Sequence, residues 1–132
     1  MRSASLFVAI VVALLASPLP AAAQCRIHRG AKVVLYSNSD DPDVLVWDSR
    51  FRLRDYRGAP FDVARQLLPH ARLAPQGTRA TVESCVAEFV APGVVGSPDD
   101  AVGIVIDTGP LRQWRGWVLG SDVRPRPSHH PP

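Results

Sequence analysis

The sequence predicts a small all-β domain, and three observations carry that expectation. Short apolar or β-branched runs recur at residues 32–36, 44–48, 78–86, 101–106 and 116–119, bounded by Gly, Pro, Asn, Ser or Asp. From Gly77 onward these runs follow one another with no helical stretch between them, the pattern of a compact β-barrel. Only residues 61–68 switch to a helical period, and so short a helix cannot hold alone in water.

The first twenty-three residues stand outside this pattern. Arg2 precedes an unbroken apolar run at residues 6–16, followed by Ser17, Pro18 and Pro20 and then by Ala21, Ala22 and Ala23. A membrane span needs ~20 apolar residues. This run is shorter, and a charge, an apolar stretch and small residues in that order make a signal peptide. Cleavage is expected after Ala23, leaving a secreted or periplasmic chain that begins at Gln24 and keeps no transmembrane segment. Cys25, so near the cut, also raises a lipid-modified terminus, but lipoprotein signals take a small residue before the cysteine and Gln24 is not small.

Removing 23 of 132 residues leaves 109, which suits one domain, expected over residues 24–123. Both cysteines, Cys25 and Cys85, lie in that part. In an oxidising compartment they are expected to form a disulfide, the alternative being two unpaired thiols. Without Arg2, fourteen basic residues face twelve acidic ones. So even a balance lacks the footprint of a nucleic-acid binder, and no nucleic acid is expected as a partner.

Along the domain, residues 32–36 read as a strand that runs into the turn-forming Ser37, Asn38, Ser39, Asp40, Asp41 and Pro42. Residues 44–48 and 50–56 read as two further strands, joined by a tight turn at Asp48 and Ser49 or continuous as one bent strand. In the second, Phe51 and Leu53 fall on one face and Arg50, Arg52 and Arg54 on the other. Gly58 and Pro60 break the pattern. Phe61, Ala64 and Leu68 then recur at helical spacing, Asp62 favours the helix dipole and Pro69 stops the helix. Its Phe61 and Leu68 are expected to dock on the sheet. Residues 91–100 read as a long hairpin loop, and residues 124–132, with four prolines and nothing apolar to bury, as a disordered or extended tail.

Gly77, Thr78, Arg79, Ala80, Thr81 and Val82, the strand at residues 102–106, and Gly116, Trp117 and Val118 followed by Asp122 and Val123 together resemble bacterial SH3-like (SH3b) domains. The resemblance covers residues 73–123, about half of the mature chain. It implies a small SH3-like barrel in which the Gly-Trp-Val run precedes a 3₁₀ turn at residues 120–122 and a short last strand. Residues 24–71 would add an N-terminal β-hairpin and one short helix. The Asn-x-Arg-x-Gly-Pro stretch that lines the ligand groove of that family has no counterpart here, so groove residues do not transfer. In function the resemblance implies a module that binds cell-wall peptide or glycan, and the chain as a whole is expected to be a non-enzymatic module for a cell-envelope component, peptidoglycan or another anionic polymer, or for an envelope protein. A small cell-wall hydrolase and a periplasmic inhibitor or accessory subunit are the alternatives.

Six residues are candidates for ligand contact. Arg50, Arg52 and Arg54, with Tyr56 beside them, would repel one another on a single strand face unless an anion or carboxylates compensate. A solvated face paired to Asp43, Asp48 or Asp55 is the plainer reading. Trp114 and Trp117, three apart on a strand, face opposite sides, so one packs inward. The other stacks on a sugar or a proline, or packs against the N-terminal segment. His28, His70, His129 and His130 lack metal-binding spacing, and Asn38, Asp40, Asp41 and Asp43 lack the glycine and the closing glutamate of a calcium loop. No nucleophile motif is present and nothing positions a carboxylate pair, so no catalytic residue, metal or cofactor is expected.

Overall fold

The computed structural model describes residues 24–37, 39, 41–92 and 96–127. The expected leader at residues 1–23 and the end of the tail from residue 128 lie outside these, as do Asn38 and Asp40. Seven strands, β1 (Lys32–Leu35), β2 (Asp43–Trp47), β3 (Ala71–Pro75), β4 (Arg79–Val90), β5 (Asp99–Ile106), β6 (Arg115–Leu119) and β7 (Val123–Pro125), form one sheet. All pairings are antiparallel, in the order β3-β2-β6-β5-β4-β1-β7, and the sheet curls into a half-barrel. The curl follows from β4, whose register with β5 shifts between Val82 and Ser84 and again between Val86 and Val90. Such irregularities bend a strand and increase its twist.

Alternation along the strands assigns the apolar side chains to two cores. Val33, Leu35, Val44, Val46, Val82, Val102, Ile104, Ile106 and Val118 fill the concave side. The intervening residues of β2 and β6, Leu45, Trp47, Trp117 and Leu119, point to the convex side, where Leu53 and Tyr56 cover them. That cover is helical: α1 (Arg50–Gly58) and α2 (Phe61–Leu67) both lie between β2 and β3 in the chain.

Residues 50–56 are therefore not the strand expected from their alternation, and the expected N-terminal hairpin is replaced by β2 paired with β3 across two helices. The physical reason lies at both ends of α1. The Ser49 hydroxyl accepts the Phe51 N–H at 3.2 Å, so the dipeptide read as a turn is a helix cap. Asp48 then pairs with Arg52 at 2.9 Å, one turn on, and Leu53 and Tyr56, three apart, meet the convex core. The helix at residues 61–68 is present but rotated. Leu67 packs on the core, while Phe61, 79% exposed, and Leu68 face outward instead of docking. Two helices thus stand where one was expected.

The C-terminal half follows its strand pattern closely. The loop after β4 is shorter than residues 91–100, because Asp99 and Asp100 already belong to β5. Gly120–Asp122 forms a 3₁₀ turn ahead of β7. The chain stays ordered beyond Val123: Arg124 and Pro125 pair with β1, and the Arg126 guanidinium donates to Val33 O and Ala80 O and reaches Asp107 at 3.3 Å.

Cys25 and Cys85 form a disulfide that ties the segment before β1 to the middle of β4. No helix among the described residues is long and apolar enough to cross a membrane. The bridge spans 60 residues, so replacing both cysteines by serine should lower stability by about 2–4 kcal/mol, chiefly through the regained entropy of the unfolded chain. Urea denaturation with and without reductant measures it. A second test concerns β6, where a Cβ on Gly116 would overlap Val46 and stand 2.8 Å from the carbonyl oxygen of Trp47. Gly116→Ala should destabilise by at least about 2 kcal/mol, because backbone cannot yield as a side-chain tip can.

Candidate functional site

Helix α1 scatters the arginine stripe. Arg52 turns to Asp48, whereas Arg50 and Arg54, four residues apart, close over the rings of Phe51 and Phe89 at 5.0–5.7 Å. Arg50 also lies 5.6 Å from Trp117, and Arg54 is 3.4 Å from Asp55. These cations are held by π-faces from α1, β4 and β6 and by the carboxylates of Asp48 and Asp55, not lined up on a strand face. Trp117 is half-buried beneath α1, its ring over Gly103, which is the packing against the N-terminal segment. Trp114 is 46% exposed.

Two concavities flank β2. The first, of about 180 Å³, is lined by Trp114, Arg72, Arg115, His70, Asp48, Pro69 and Leu111 over a floor of Val46, Trp47 and Ile106. Trp114 is carried on a turn closed by three backbone hydrogen bonds, Gln113 N–H to Ile106 O, Ile106 N–H to Trp114 O and Trp114 N–H to Leu111 O. The Arg72 guanidinium stacks 4.8 Å from the indole centroid. Arg115 reaches Glu83 at 3.4 Å, and Asp48 accepts from Arg52 and His70 with the same oxygen. The result is an exposed aromatic plate beside two guanidinium groups and an imidazole.

The second concavity, of about 380 Å³, opens between α1 and β2. Its floor is Leu45, Trp47, Leu53 and Leu119; its rim carries Ser37, Ser39, Asp41, Asp43, Tyr56, Arg57, Ser121 and Asp122. Tyr56 is fixed by its stack on Trp47, 4.7 Å between centroids. Ser39 donates to Asp41 at 2.7 Å, and its hydroxyl lies 2.8 Å from that of Ser37. Behind the rim, Ser121 spends its hydroxyl on Asp99 at 2.6 Å. Burial, and then the neighbouring Asp99, push the Asp122 carboxyl up from 3.8 to about 6, against the opposing pull of Arg57 and Arg124.

Of the six ligand-contact candidates, Trp114 and Tyr56 line these concavities, one in each, while the three arginines and Trp117 line neither. Arg72, Asp122 and Ser121 were not recognised as site residues. Arg72 sits on β3, a segment with no strand signature, and the weight of Asp122 comes from burial that no local pattern records. Asp100 lies within 4.8 Å of the Cys25 and Cys85 sulfurs, but bridged sulfurs have no thiolate charge to offer a metal. No family model, curated protein or solved structure matches the chain.

The raised Asp122 pKa fixes a sign. A carboxyl lifted above its unfolded value favours the fold when neutral, so its contribution is complete below pH 3.8 and is lost as pH rises through about 6. Asp122→Asn should therefore match the parent near pH 3.5 and become more stable than it between pH 4 and 6, by about 1–2 kcal/mol after allowance for solvent screening. Thermal melts across that range read the gap.

Proposed function

We propose that this chain is a non-enzymatic, extracytoplasmic binding module whose ligand is an anionic cell-envelope polymer of the peptidoglycan type, held at the Trp114 concavity. The observation that carries this reading is the half-exposed indole with Arg72 stacked on it and Arg115 and His70 alongside. An aromatic plate takes the apolar face of a sugar ring, and planar guanidinium groups at its edge take carboxylates in pairs of hydrogen bonds. The Cys25–Cys85 bridge suits an oxidising compartment, as does the leader-like N-terminus. The resemblance of residues 73–123 to SH3b domains supports the same class of ligand.

Retention on purified peptidoglycan tests it. Trp114→Ala and Arg72→Ala should each weaken binding by about tenfold, the size expected for losing one stacking or bidentate contact. Trp114→Phe should retain part of it. Unchanged retention in all three variants overturns the proposal. A hydrolytic reading draws instead on Asp41, Asp43 and Asp122, which share the other cleft. Zymography separates the two, since a binding module is retained by the wall without clearing it.

A further inference from the structure

We infer that the cleft between α1 and β2 is a docking groove for an extended, basic segment of a partner polypeptide, with apolar side chains on its floor and a lysine or arginine side chain among Asp41, Asp43 and Asp122. This site is separate from the Trp114 concavity.

The first argument is shape. At about 380 Å³ the cleft is near the lower end of ligand pockets, room for one or two side chains of a longer chain rather than for a cofactor. Its floor of Leu45, Trp47, Leu53 and Leu119 is apolar and continuous with the convex core, so an entering aliphatic side chain meets a preformed surface. The second argument is charge. Three carboxylates and one guanidinium line the rim, in a chain whose mature part carries more basic than acidic residues. The local sign is thus opposite to that of the whole and to that of the Trp114 concavity. A cationic partner is drawn in and an anionic wall polymer is turned away.

The third argument is the state of Asp122. Its neighbours are Asp99 from β5, Arg57 from α1 and Arg124 from β7, and Ser121 is committed to Asp99. A partner cation against this half-buried carboxyl would favour its ionised form. Binding should therefore be constant above pH 7 and fall as pH drops below about 6, by up to about tenfold per unit.

The test is calorimetry of the protein with three capped hexapeptides, alternating leucine with lysine, leucine with glutamate, and serine with lysine. The leucine–lysine peptide is expected to bind most tightly, with the acid dependence just described. Asp43→Asn combined with Asp122→Asn should weaken it tenfold or more, and Trp114→Ala should leave it unchanged. If the double variant does not melt cooperatively, the exposed rim substitution Asp41→Lys replaces it with the same expectation. Equal binding of the glutamate peptide, no binding of any peptide, retention by a folded rim variant, or blockage of the groove by self-association of the protein would each overturn the inference. Loss of wall binding with peptide binding intact would sink only the Trp114 proposal.

Discussion

Strand β6 lies against β2 because residue 116 has no side chain. Any Cβ there would meet Val46 and the Trp47 carbonyl, and the two strands touch through a single register pair, Trp47 with Trp117. On one side of that seam stands the β2–β3 pair with both helices; on the other stands the five-stranded remainder. The convex core, the cover that α1 gives to Trp117 and both concavities exist only while the seam holds. The glycine of the Gly-Trp-Val run thus has a mechanical meaning independent of any family resemblance.

Both concavities draw residues from the two sides of the seam, and their chemistries differ. The face around Trp114 gathers Arg72, Arg115 and His70, whereas the cleft under α1 gathers Asp41, Asp43 and Asp122. Trp47 borders both, its ring almost wholly buried. Under the two proposals made above, opposite charge on surfaces that share one buried residue is what would distinguish an anionic from a cationic partner. Arg50, Arg52 and Arg54 of α1 line neither concavity, since their charge is spent on Phe51, Phe89, Asp48 and Asp55, whereas Arg57 of the same helix stands on the rim of the acidic cleft.

The strands of the C-terminal half and the disulfide were legible in the sequence, because β-branched alternation marks strands and two cysteines in a domain read as exported are expected to pair, while the 3₁₀ turn at Gly120–Asp122 was what the SH3b resemblance implied. Helix α1 was not. Phe51 and Leu53 between arginines satisfy period two over five residues, and what decides for a helix is the Ser49 cap together with the need to cover Trp47 and, far away in the chain, Trp117. Strand β3 hid for the complementary reason: Ala71, Arg72, Ala74 and Pro75 have little strand preference, and only the open edge of β2 orders them. The acidic cleft unites residues from 37 to 57 with residues from 119 to 122, a juxtaposition made by the curl of the sheet.

The pairing of the first strand with the last has a consequence for orientation. Leu35 lies opposite Val123 and Val33 opposite Pro125, and the Arg126 amide donates to the Lys32 carbonyl. Residues 24–31 and 126–127 therefore both leave from the Lys32 end of β1, while Ser37 and Asp122 stand at its far end. A grip on residues 24–31 or 126–127 would thus hold the molecule at the end of β1 opposite to Ser37 and Asp122, two residues on the rim of the acidic cleft.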